Sequence, residues 1–209
     1  MYPNYQGTTW TVASKDHVFG SPATVTAYCI VAEMSNGSPI PEEHYRVVSA
    51  TSARVAHPST QTILPDGFIV VGGGACVNWT GAGSLLFASY PTPGLRSWIG
   101  AAKDHDISDP STITVWAIGL RESFLGRFGM VVRLKEMTSS PPADHPNITP
   151  VIRDFYLTGV GARVNWRVAG NLLTACFPKD RQTVVAEGKD HRIADPSTIT
   201  AFAIGFGSN

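Results

Sequence analysis

The chain has no excess charge of either sign, since Lys plus Arg number 16 and Asp plus Glu also number 16. Without a net field nothing draws it onto phosphate backbones or anionic lipid, so nucleic acid is not an expected partner. Long hydrophobic runs are missing as well: no stretch reaches the roughly 18 apolar residues that a membrane span needs. Residues 1–6 lack the basic and apolar regions of a secretory signal, so the chain as given is expected to be soluble and to have no membrane span. Cysteines are few and odd in number (Cys29, Cys76 and Cys176), form no CxxC pair, and argue against a disulfide framework. They are expected to be small buried apolar thiols. Charged residues make up only 15% of the chain, too few for a set of amphipathic helices. The 20 glycines and 15 prolines, with runs of Thr, Ser and Val, favour short strands joined by turns.

The chain repeats itself. The segment beginning Lys103-Asp104-His105 and ending Ala117-Ile118 recurs from Lys189-Asp190-His191 to Ala203-Ile204, identical at 12 of 16 positions. A third, diverged copy opens the chain with Lys15-Asp16-His17, followed by Pro22, Thr24, Thr26, Tyr28 and Ile30, and matches at 7 of 16 positions. Upstream of the two later copies, Gly72-Gly73-Gly74-Ala75-Cys76-Val77-Asn78-Trp79 and Ser89-Tyr90-Pro91 return as Gly159-Val160-Gly161-Ala162-Arg163-Val164-Asn165-Trp166 and Cys176-Phe177-Pro178. His57-Pro58 likewise answers His145-Pro146. The organisation is an N-terminal half-unit (1–33) and two full units of about 87 residues (34–120 and 121–209) within one compact domain.

Each full unit reads as at least four strands, at residues 68–71, 85–88, 97–101 and 113–118, which are β-branched or aromatic and bounded by Gly, Pro, Asp and Ser. A fifth is expected at 45–51, paralleled by 129–135. The last strand, apolar on both faces, should be central, and the first two should lie nearer the edges. The fold expected is all-β, a β-prism-like or sandwich arrangement built from the repeats. The glycine run fails as a phosphate cradle because Val77-Asn78-Trp79 continues it as strand and not helix; close backbone packing or a bulge explains it better.

Gly72-Gly73-Gly74-Ala75, Ser89-Tyr90-Pro91, Trp98 and the Trp116-Ala117-Ile118 strand resemble a G-G-G-A, S-Y-P, W, aromatic-Ala-aliphatic β-repeat of secreted, often actinobacterial, proteins. The resemblance covers 68–120 and 155–206 well and 10–31 in part, and implies a fold and an extracellular or cell-surface setting without implying an activity. The paired cysteines at the ends of that repeat are missing here. Trp-bearing sheets about an axis are also similar, as architecture, to β-prism lectins and egg-coat proteins.

Two sets of residues could carry chemistry. The tripeptides Lys15-Asp16-His17, Lys103-Asp104-His105 and Lys189-Asp190-His191 are either equivalent polar clusters for sugar hydroxyls or turn residues. In the second case each Asp accepts backbone N–H groups and the Lys and His form a solvated strand end. The pairs Asn78-Trp79 and Asn165-Trp166 offer an amide beside a flat ring, as carbohydrate sites do, or else fill the core. Trp98 and Trp10 belong to the core, because the matching position in the second unit is Val184. His57 lacks fixed ligand spacing to the KDH residues, so no metal and no cofactor is expected.

No nucleophile elbow, HExxH or Cys-His pattern occurs, and every candidate is duplicated, whereas a catalytic constellation is a single asymmetric arrangement. The expectation is a non-catalytic, lectin-like protein binding glycans or other polyols multivalently. A structural or self-assembling surface protein is the alternative, with homo-oligomers formed through the half-unit. A metal-dependent hydrolase comes third, needing assumptions the other two do not.

Overall fold

The computed structural model describes residues 2–4 and 8–208; Met1, residues 5–7 and Asn209 lie outside the described residues. The protein is all-β. The N-terminal segment contributes two short strands, β1 (Tyr2–Pro3) and β2 (Trp10–Thr11). The first full unit holds β3 (Tyr45–Thr51), β4 (Ser59–Ile63), β5 (Phe68–Asn78), β6 (Ser84–Pro91), β7 (Ser97–Asp104) and β8 (Thr112–Arg121). A short helix, α1 (Glu122–Gly126), leads to the second unit, β9 (Met130–Thr138), β10 (Asn147–Ile148), β11 (Tyr156–Asn165), β12 (Asn171–Pro178), β13 (Val184–Asp190) and β14 (Thr198–Ser208).

Each unit is a sandwich of two antiparallel sheets. In the first, β3-β8-β5 faces β4-β7-β6; in the second, β9-β14-β11 faces β10-β13-β12. The units join edge to edge where Ser89 and Ala88 of β6 pair with Ala162 and Arg163 of β11, which merges two of these sheets into one of six strands. A unit thus has six strands. The additional one, β4 or β10, is polar in sequence and pairs with the outer side of β7 or β13.

The core follows the pattern of the sequence. β8 and β14 are central, and Ile113, Val115, Ala117, Ile199, Ala201 and Ala203 are fully buried. Trp98 is buried too, its indole N–H donating to Ser89 Oγ at 3.0 Å. Gly73 makes that possible: a Cβ there would lie 2.4 Å from the Trp98 ring and 2.5 Å from Trp116 O. A bulge between Val70 and Gly72 starts the glycine run. Close packing and a bulge, and not a ligand cradle, therefore account for these glycines.

Three expectations need correction. β6 and β11 are not edges, because each seals the other at the junction between units. Cys29 is exposed, although Cys76 and Cys176 are half-buried as part of their sheets; all three thiols are free. Lys103 and His105 are not a solvated strand end but lie at 1% and 0% exposure. The reason for the last is that the next unit covers them.

The N-terminal segment folds back within the molecule. Tyr2 stacks on Trp116 with ring centroids 4.7 Å apart, and Tyr28 stacks on Phe177 at 4.9 Å. At the junction of the full units, Tyr90 stacks on Phe202 at 4.9 Å. Tyr2-Pro3 matches Tyr90-Pro91 and Phe177-Pro178 in the repeat, while Tyr28 matches Trp116 and Phe202. The three stacks are therefore one contact made three times, and the half-unit completes an approximate threefold arrangement.

Candidate functional site

The KDH tripeptides meet on that axis. Each ends in the same tight turn, in which the N–H two residues after the histidine donates to the histidine carbonyl: Phe19 to His17, Ile107 to His105 and Ile193 to His191, each at 2.7 Å. The residue between has positive φ each time, 67° at Val18, 62° at Asp106 and 62° at Arg192. An i to i+2 hydrogen bond closed through a left-handed residue is the strained form of γ-turn. The same strained turn recurs after all three histidines.

The first two tripeptides then reach forward into the next unit. His17 Nδ1 lies 2.9 Å from Ala82 O, and His105 Nδ1 lies 2.9 Å from Ala169 O. A carbonyl only accepts, so both Nδ1 atoms carry the proton and a neutral ring leaves Nε2 as a lone pair. Lys15 donates to Gly81 O at 2.8 Å, stands 3.6 Å from Asp109 and lies over the Trp79 ring at 4.8 Å. Lys103 lies over the Trp166 ring at 4.2 Å, its Nζ 3.5 Å from Val168 O. Desolvation pulls the Lys103 ammonium down to about 8 against the attraction of Asp195 and Asp190.

The third tripeptide meets no such loop among the described residues. Lys189 is exposed. His191 Nδ1 turns instead to His105 Nε2 at 3.1 Å. The three imidazole centroids are 4.9, 4.9 and 5.2 Å apart. His17 Nε2 is buried with no hydrogen-bond partner. Desolvation pulls the His105 and His191 rings below the ordinary imidazole value. Above the cluster, Arg192 pairs with Asp106 at 2.8 Å and lies over the Phe19 ring, so the turn residues are linked as well.

The aspartates behave differently from their neighbours. Asp104 Oδ2 accepts the backbone N–H of Asp109 at 2.9 Å, and Asp190 Oδ2 that of Asp195 at 2.7 Å, so both are turn residues. Asp16 is exposed and makes no hydrogen bond among the described residues, so its environment is not equivalent. The sequence reading missed Asp109 and Asp195, which are buried and hold the loop of their own unit. Asp109 accepts the N–H of Gly81 and of Ser84; Asp195 accepts those of Arg167, Val168 and Asn171. A signal was available: this Asp is present in both full units and is Ser21 in the N-terminal copy.

Asn78 and Asn165 are engaged too. Asn78 Nδ2 donates to the Thr112 and Thr114 hydroxyls at 2.9 Å, and Asn165 Nδ2 to Thr198 and Thr200 at 3.0 Å. Trp79 and Trp166 keep part of their surface in solvent, at 50% and 36% exposure. His57 and His145 are exposed and stand outside the axial cluster. Among the described residues no helix is long and apolar enough to cross a membrane. Compared with known proteins, the chain matches no protein-family model and no curated protein.

Proposed function

We propose that this chain is a non-catalytic assembly module that accepts a glycine-rich β-strand from another polypeptide at its third junction. At the complete junction, the order across the sheet is β6, β11, β14, and the Tyr90–Phe202 stack passes over Gly161 of the middle strand. A Cβ on Gly161 would come within 2.9 Å of Ser89 O and the Tyr90 backbone, so only glycine lies flat beneath the rings. At the third junction the outer elements are β12 and the segment 24–30, which is not itself a strand. The equivalent stack, Phe177 on Tyr28, is formed, but among the described residues no strand lies between them.

One observation carries the proposal. In the full units, the threonine pairs Thr112/Thr114 and Thr198/Thr200 accept the asparagine that ends the glycine strand. The half-unit keeps the matching pair, Thr24 and Thr26, exposed and with no hydrogen bond among the described residues. Residues 20–33 also make no backbone-to-backbone hydrogen bond among the described residues, and β12 is an open sheet edge. Strand addition to such an edge supplies main-chain hydrogen bonds, with side-chain positions giving specificity. The fitting occupant reads Gly-x-Gly-Ala-x-Val-Asn. It is a strand without its following loop, because Ser21 replaces the carboxylate that fixes the loop elsewhere.

A synthetic peptide of residues 68–79 tests this directly. It should bind the intact protein and raise its Tm. A Gly74→Leu peptide should not bind, and Thr24→Val/Thr26→Val protein should bind the parent peptide about tenfold or more weakly. No binding, or equal binding of the leucine peptide, overturns the proposal.

Carbohydrate binding is retained as a second reading on the partly open rings of Trp79 and Trp166. It no longer draws on Lys15 and Lys103, which are spent at the junctions. A glycan array read with Trp79→Ala/Trp166→Ala beside the parent tests it: no glycan retained by the parent alone removes it.

A further inference from the structure

We infer that His17, His105 and His191 form a binding site for one divalent first-row transition metal ion, of which zinc is the most accessible probe. The three side chains come from three copies of the repeat, and one ring nitrogen of each lies within 4.8 Å of the others. Three nitrogens bound to a tetrahedral ion at about 2.0–2.1 Å stand about 3.3 Å apart. His105 and His191 are already at that separation, 3.1 Å. His17 offers its own ring nitrogen within 4.8 Å of both.

The surroundings are those of a metal-binding histidine set. Ligating histidines donate their other ring N–H to a carbonyl or carboxylate, which fixes the tautomer and frees a lone pair for the ion. His17 and His105 do this through Ala82 O and Ala169 O. The buried Nε2 of His17 has no partner, which is costly for a nitrogen lone pair inside a protein unless something fills the place. A left-handed Val18, Asp106 and Arg192 follow the three histidines at equivalent points, and the three rings stand with centroids 4.9, 4.9 and 5.2 Å apart.

An all-imidazole set favours zinc, nickel, copper or cobalt over magnesium or calcium, which need oxygen ligands. The ion would enter on the His191 side, where no loop of the described residues covers the cluster, and keep its fourth position there for water or an anion. Nothing here depends on what fills the third junction.

The test uses the full chain freed of metal by a chelator and titrated with zinc chloride, with calorimetry for stoichiometry and thermal melts for stability. The expected result is one zinc ion per chain, a Tm rise reversed by chelator, and binding weakened by more than about tenfold in His17→Gln and in His191→Gln. Titration with cobalt chloride should give the intense visible bands of a tetrahedral nitrogen site. The parent protein's own melt decides the matter even if a variant fails to fold. Absence of a zinc-dependent Tm rise, or zinc binding unchanged in both glutamine variants, overturns the inference.

Discussion

Asp190 positions Asp195: its Oδ2 takes the backbone N–H of Asp195 at 2.7 Å while its Oδ1 takes the side-chain amide of Asn171 at 2.8 Å. Asp195 in turn accepts three backbone N–H groups from the loop that covers Lys103 and His105. One carboxylate thus orients a second, and the second builds the wall of the axial cluster.

Asp195→Ala leaves those N–H groups unpaired in a buried place. It should cost about 3 kcal/mol or more, a Tm fall of roughly 6–12 °C for a domain of this size. Asp16→Ala, at the half-unit position that matches Asp190 but exposed, should stay within about 0.5 kcal/mol. Paired thermal melts check this; equal losses would contradict it.

Stability should fall with acid in a window set by Asp109 and Asp195. Desolvation alone would push both carboxyls up. The N–H groups of Ser84 and Gly81, with Lys15, outweigh it for Asp109, and those of Asn171, Arg167 and Val168 do so for Asp195. Both therefore titrate below 3.8 when folded, the unfolded chain takes up the protons first, and the stabilisation is complete above that value and lost as pH falls through the lower folded ones. Urea unfolding across the acid range should show this slope flattened in Asp109→Asn/Asp195→Asn.

Thiol chemistry should separate the cysteines. Cys29 is exposed, whereas burial pushes the Cys176 thiol up to about 12 and raises Cys76. Thiolate is the reactive form. A disulfide reagent at mildly alkaline pH should therefore modify one thiol per chain quickly and two slowly, read by mass spectrometry, and reductant should leave Tm unchanged.

Val18 is the costliest of the left-handed turn residues, being β-branched at φ 67°. It is partly exposed, so little packing is lost when it is replaced. Val18→Gly should raise Tm by about 2 °C, whereas Val25→Gly in the exposed segment should not. A lower Tm for Val18→Gly would mean that its side chain contributes more than its backbone costs.

The strand at 113–118 was legible because its residues are apolar on both faces and it sits at the centre of a sheet. β4 was not: Ser-Thr-Gln-Thr-Ile buries Thr62 and exposes Ile63, the reverse of what hydrophobic patterning reports. The three tripeptides were legible as a repeat. Their convergence was not, because His105 and His191 stand 86 residues apart and no local spacing encodes their meeting. The burial of Lys103 was hidden for the same reason: its cover, Trp166 and Val168, belongs to the following unit. Asn78 and Asn165 looked like ligand amides because their acceptors, threonines on the neighbouring strand, lie more than 30 residues away.

The contact by which one unit seizes the next is head-to-tail: Lys103 and His105 meet a loop that differs from their own surface. Contacts of that kind propagate until their rotation returns to the start. Here the rotation returns after three steps, as the three matched ring stacks record. The number of stations on the ring is therefore set by the angle at a seam and not by how many units one polypeptide encodes. The same geometry describes a trimer of single units whose subunit boundaries have been carried into one chain.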